Sequence, residues 1–141
     1  MADSEQRINV QEEMEYLRTA INTLDNQINV LARGLEELRR AHTVIREESV
    51  TTSGDVRASI GAGIFVNVSL SRDAKFLVPI GSDLYLELPR SEAEKKVADN
   101  IKEVENSLNI AGQRRADIAE RYQSLLILIQ QQSVQSQKGM Q

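Results

Sequence analysis

The chain has 141 residues, about one domain, of which 40% are apolar and 27% charged; 17 basic against 21 acidic side chains leave a formal charge of −4. Three tyrosines and two phenylalanines are its only aromatics, a mix that disfavours a compact single-core enzyme, and the acidic balance argues against nucleic acid or a membrane surface as main partner. With no cysteine and one histidine, His42, disulfides, thiolate metal sites and thiol catalysis are excluded, so no catalytic residue, metal site or cofactor is expected. The N-terminus is polar and no apolar run approaches the ~20 residues that span a bilayer. The default expectation is a cytoplasmic protein with no membrane partner.

From Val10 the apolar positions step through Met14, Leu17, Ile21, Leu24, Ile28, Leu31, Leu35 and Leu38 to His42 and Ile45, alternating fours and threes. That is an unbroken heptad seam, with Met14, Ile21, Ile28, Leu35 and His42 at position a, and it predicts a coiled-coil helix over 8–48.

The glycines and prolines concentrate in the middle third, where the period changes from 3.5 to 2. Ile64, Val66, Val68 and Leu70 alternate with Phe65, Asn67 and Ser69, and Leu84, Leu86 and Leu88 alternate with Tyr85 and Glu87, as in strands with one buried face. Phe76 to Ile80 is a further strand, restricted by Pro79 to an edge or irregular position, and Val56 to Ile60 is a weaker first one. Gly61-Ala62-Gly63 and Gly81-Ser82-Asp83 supply turns, because glycine reaches positive φ without steric cost. Residues 50–89 therefore read as two β-hairpins joined by Ser71 to Ala74. Such hairpins are marginal alone and their open edges invite pairing, so Ile60, Ile64, Phe65, Val66, Val68, Leu70, Phe76, Val78, Ile80, Leu84, Leu86 and Leu88 are the expected subunit-assembly residues.

After Pro89, Ser91 with Glu94 has the form of a helix-starting capping box. A second seam follows over 91–133: Val97, Ile101, Val104, Leu108, Ala111, Arg115, Ile118, Tyr122, Leu125 and Ile129. Gly112 lies off it and costs about 1 kcal/mol without ending the helix. Two seams of equal length flanking one insert can fold back as an antiparallel pair, with Ile45 near Val97, Ile28 near Arg115 and Met14 near Ile129. The Gln-rich end, 134–141, reads as a disordered tail. The fold class is α+β: a single domain over 1–141 made of a long antiparallel two-helix coiled coil with two central hairpins, four short strands in all.

Successive helical residues turn by about 100°, so Leu125-Leu126-Ile127-Leu128-Ile129 points in every direction and a two-helix seam can bury only part of it. Leu126, Ile127 and Leu128 should be partly exposed beside Val10, Met14, Tyr16 and Leu17, either as a binding surface or beneath a further helix. His42 has no second metal-ligating neighbour and reads as an interface histidine. Arg115, on a seam, must extend outward or find a carboxylate. Gly61-Ala62-Gly63 lacks the Lys-Ser/Thr and the helix of a phosphate loop.

Two amphipathic helices around two hairpins, with Ile60-Gly61-Ala62-Gly63-Ile64-Phe65-Val66, Asp73, Ile80-Gly81, Leu84-Tyr85-Leu86-Glu87 and Ser91-Glu92-Ala93 at their places, resemble the α-type subunit of prefoldin. The resemblance implies an ATP-independent holdase in which two α and four β-type subunits build a β-barrel platform from their hairpins. It further implies that unfolded client proteins are held at coiled-coil tips, here Val10, Met14, Tyr16, Leu17 and Leu125 to Ile129, and passed to a cytosolic group II chaperonin. A structural adaptor or a homo-oligomeric filament former is the alternative from the residues alone.

Overall fold

A computed structural model of the chain describes residues 2–47 and 56–138, with side chains as far as residue 135. Residues 48–55, where the first helix is expected to end and the hairpin segment to begin, and the last three of the expected tail lie outside the described residues. In chain order the elements are α1 (Ala2–Arg46), β1 (Val56–Gly61), β2 (Ile64–Val68), β3 (Lys75–Gly81), β4 (Leu84–Pro89) and α2 (Arg90–Lys138). The strands form two separate antiparallel pairs, β1 with β2 and β3 with β4. This is the α+β architecture expected from the pattern of heptads and alternation.

Both helices exceed the expected bounds. α1 starts at Ala2 with Asp3 and Glu5 in its first turn, where carboxylates favour the positive end of the helix dipole. α2 opens at Arg90, which puts Ser91 inside its first turn instead of before it. At the other end α2 continues to Lys138, so residues 134–138 are helical where a disordered tail is expected; glutamine is a good helix former, and no glycine or proline intervenes before Gly139.

The chain divides into two compact units, one made of the residues up to Ala32 with those from Ser107 onward, the other of Arg33–Asn106. In the first, the seams face each other antiparallel: Arg18 Nη2 donates to the Tyr122 hydroxyl at 2.8 Å, Arg115 is bonded to the Asp25 carboxylate, and Arg121 Nε donates to Glu13 at 3.1 Å. From Arg18 to Asp25 is seven residues up one helix, and from Tyr122 to Arg115 seven down the other, so one register accounts for both pairs. Leu17, Leu24, Ala111 and Leu125 are buried in the seam, with Met14, Ile21, Ile28, Leu108, Ile118 and Ile129 half-buried between them.

In the second unit the two helix ends and the second hairpin share one core. Ile45, Val78, Ala93 and Val97 are buried together, with Leu38, Phe76, Leu88 and Ile101 packed against them. Pairing of Phe76 with Leu88 and of Val78 with Leu86 puts these four on one face of the β3–β4 hairpin, so Phe76, Val78 and Leu88 seat on the helices by simple alternation. Arg90 ties the junction: its Nη1 donates to the Ile45 carbonyl in the last turn of α1, the turn whose carbonyls a helix leaves to outside donors, and its guanidinium lies 5.3 Å from the Phe76 ring centroid. Arg39 pairs with Glu105 at 3.3 Å, and His42 Nε2 lies 3.8 Å from the Glu94 carboxylate.

The two hairpins are one device used twice, twenty positions apart. Ser59 pairs with Phe65 and Gly61 with Ile64, leaving Ile60 as a bulge; Pro79 pairs with Tyr85 and Gly81 with Leu84, leaving Ile80 as a bulge. Gly61 and Gly81 both have φ 111°, a value costly for residues with a Cβ. The two turn residues that follow have positive φ in each case, Ala62 and Gly63 in one and Ser82 and Asp83 in the other. Such turns twist with the strands, which is why they dominate two-residue hairpins.

Candidate functional site

The expected tip residues separate into scaffold and surface. Leu17 and Leu125 are only 8% and 4% exposed: they are consumed by the seam and cannot themselves offer apolar surface to a ligand. Val10, Met14, Leu126 and Ile129 are half-buried, while Ile127 and Leu128 are exposed and Tyr16 is 73% exposed. Ile8 and Val134 are also exposed; both lie within a turn or two of expected tip residues, and Val134 stays with them because α2 runs on as helix. Between the helices lies a shallow groove of about 260 Å³, lined by Val10 and Ile129 with Arg7, Gln11, Gln132 and Ser133. It is small and rimmed by amides and a guanidinium, which suits a passing side chain better than an enclosed small molecule.

Electrostatics around this end is arranged to hold the helices. Arg18 sits 5.8 Å from the Tyr122 ring centroid as well as donating to its hydroxyl, and that hydrogen bond with the neighbouring charge raises its pKa. Arg115 likewise has its pKa raised, chiefly by the hydrogen bond to Asp25 and then by that carboxylate's charge. The seam arginine has therefore found a carboxylate at the edge of the interface, and both groups remain about two-fifths exposed. Among the described residues no group of three or more His, Cys, Asp or Glu side chains could hold a metal ion, and no helix is long and apolar enough to cross a membrane.

A second cluster of exposed apolar side chains lies on the hairpins. Of the expected assembly residues, Ile60, Ile64, Phe65, Val66, Ile80, Leu84 and Leu86 are exposed, and Val68, Leu70, Phe76 and Leu88 are half-buried. Val78 differs: at 3% exposure it anchors its own hairpin to α1 and α2 and is not available to another chain. Leu70 lies beyond β2, in the connection to β3. Leu77 and Tyr85 are exposed on the opposite face of the second hairpin, so that hairpin is apolar on both sides. Alternation hides this in the sequence, since a two-sided strand breaks the one-buried-face rule used to find its neighbours.

A family profile described as "Prefoldin subunit" matches residues 10–135, nearly the whole of this arrangement. The chain belongs to the prefoldin family, as an α-type subunit. Among relatives named prefoldin subunit alpha, that of Archaeoglobus fulgidus is 32% identical over 70% of this chain and 67% of its own length. That of Picrophilus torridus is 28% identical over 69% of each chain. A cryo-EM structure of filamentous PFD from Methanocaldococcus jannaschii shares the fold with a TM-score of 0.67 at 21% identity, covering 83% of this chain and 98% of that one. Prefoldin is a chaperone family and not an enzyme family, which accords with a site built from apolar side chains and helix-clamping ion pairs.

Proposed function

We propose that this prefoldin chain acts as an ATP-independent holdase subunit of a cytoplasmic hexamer of two α and four β-type subunits, and that the hexamer passes unfolded client proteins to a group II chaperonin. The observation that supports this most directly is the uneven use of apolar residues. The seam takes Leu17 and Leu125, while Tyr16, Ile127 and Leu128 stay exposed at the same end of the coiled coil. Each exposed aliphatic side chain offers at most ~1.5–3 kcal/mol on full burial, so one tip binds weakly and several tips on one platform hold a client through effective concentration. Weak individual contacts also let the client go without nucleotide hydrolysis. The exposed hairpin residues, on four strands that among the described residues each pair on one edge only, are the surface that β-type subunits would cover.

Replacing Tyr16, Ile127 and Leu128 with glutamine in the assembled complex tests the reading. Complex mass and helicity should be kept, since none of the three belongs to the seam, while suppression of aggregation of an unfolded protein should fall severalfold. Protection equal to that of the parent complex would remove the tip from the mechanism. The exposed apolar hairpins also admit a second reading, a homo-oligomeric filament built through them. Mass measurement decides between them: a defined hexamer formed only with a β-type subunit supports the holdase, and long assemblies of this chain alone support the filament.

A further inference from the structure

The chain carries no thiol, and of its three methionines, Met1, Met14 and Met140, only Met14 lies within the described residues. It occupies position a of the α1 seam and is half-buried. The register sets what faces it. Met14 stands four residues before Arg18 and Leu126 four after Tyr122, and Arg18 donates to the Tyr122 hydroxyl across the seam, so the thioether is level with Leu126, between the seam residues Leu125 and Ile129. Leu125 is buried, Leu126 and Ile129 are half-buried, and Leu17, the next residue along the α1 seam, is buried as well. In the other direction the seam has little left: Val10 is its last apolar residue, and the heptad then continues to Arg7 and Asp3.

A thioether suits this place because it is apolar, long and adaptable, and partial exposure lets a small oxidant reach the sulfur. The sulfoxide does not suit it. Oxidation turns a flexible apolar side chain into a polar acceptor, and an acceptor enclosed without a donor is unfavourable. The guanidinium groups at this level are engaged, Arg18 by Tyr122 and Arg121 by Glu13. Donors for a sulfoxide lie outward, in water or at the amides of Gln11 and Gln132, which line the groove beside Val10 and Ile129. Either turn vacates position a.

We propose that Met14 is a redox switch of the tip: its oxidation by a hydroperoxide opens this end of the two-helix seam, turns Val10, Leu125 and Ile129 from seam into surface, and strengthens the hold on non-native chains. This rests on the holdase reading and adds its regulation. In the forward step the Met14 sulfur donates an electron pair to one peroxide oxygen; the S–O bond forms, the O–O bond breaks, and the departing oxygen takes up the proton and leaves as water. Sulfur is oxidised by two electrons and the peroxide reduced by two. In the reverse step a methionine sulfoxide reductase removes the oxygen as water while two thiols become a disulfide, and the seam closes again.

The experiment treats the assembled complex with hydrogen peroxide, removes the peroxide with catalase, and reads three quantities: sulfoxide at Met14 by peptide mass spectrometry, amide hydrogen exchange over 8–16 and 124–134, and affinity for fluorescent reduced and carboxymethylated α-lactalbumin, a permanently unfolded chain. Oxidation of Met14 should speed exchange in both segments at least tenfold and tighten binding at least threefold, and sulfoxide reductase should reverse both. Met14→Leu, which keeps Met1 and Met140, should show neither change after peroxide. Met14→Gln, polar without any oxidant, should show both with no treatment, and it decides the matter if peroxide damages the β-type subunits and the complex loses mass. A Met14 sulfur that stays reduced, unchanged exchange, binding that is unchanged or weaker once the seam has opened, or an equal response in Met14→Leu overturns the switch. Failure of the untreated complex to bind the unfolded chain overturns the holdase reading instead, while exchange still decides whether Met14 governs the seam.

Discussion

Replacing Gly34 and Gly112 with alanine should stabilise the protein, and the size of the effect can be worked out from the helices. Both glycines lie inside helices, neither has positive φ, and a Cβ built at either meets no heavy atom within 4 Å. Alanine at an unobstructed helical position is favoured over glycine by about 1 kcal/mol, mostly by restricting the unfolded chain. Gly34 belongs to the Arg33–Asn106 unit and Gly112 to the other, so the two share no partner and should add to about 2 kcal/mol. For a chain of this size, 1 kcal/mol corresponds to a shift of about 3–5 °C in thermal midpoint, hence about 6–10 °C for the double variant. The measurement is a helical circular dichroism melt of the assembled complex at one fixed protein concentration, because subunit exchange makes the midpoint depend on concentration. An unchanged or lowered midpoint for Gly112→Ala would refute the reasoning, since it would mean that the absent side chain serves a contact this chain does not make with itself. For Gly34 the same outcome would place the backbone of another subunit against α1.

A charge on the apolar hairpin faces should block assembly: Val66→Asp or Leu86→Asp is expected to leave a helical chain that no longer enters the complex with β-type subunits, measured by light-scattering mass. Both residues are exposed in the single chain yet lie on the same strand face as the residues seated on the helices or their counterparts in the first hairpin, so an intact hexamer carrying either change would show that this face is not the interface. Arg90→Ala should lower stability by about 2–3 kcal/mol in urea denaturation, the sum of a charged hydrogen bond to the Ile45 carbonyl and its position over the Phe76 ring. Arg90→Lys should recover only part of this, because an ammonium lacks the planar fork; full stability of Arg90→Ala would mean that the junction is held by the apolar cluster alone.

The heptads and the alternation of the middle segment, read residue by residue, determined the number and type of the elements, the hairpin positions and the antiparallel pairing of the helices. These are periodic signals: a seam that repeats every 3.5 residues leaves one stripe to bury, and nearly every seam residue from Leu17 to Ile129 is at least half-buried. The prefoldin resemblance was legible for the same reason, because family membership lies in the order of helix, hairpins and helix. The tertiary structure alone decided which of these apolar residues are used up. Leu17 and Leu125 look like tip surface in the sequence and are spent on the seam; Val78 looks like an interface strand residue and is spent on the helix junction. Val30 and Ile110 fall outside every periodic pattern and stay exposed at 69% and 56%. Arg90 is an ordinary basic residue between a proline and a serine until the fold places the end of α1 beside the start of α2, and its partner carbonyl is 45 residues away in the chain. Periodicity reports what one element must bury, whereas exposure and pairing depend on what a second element places opposite it.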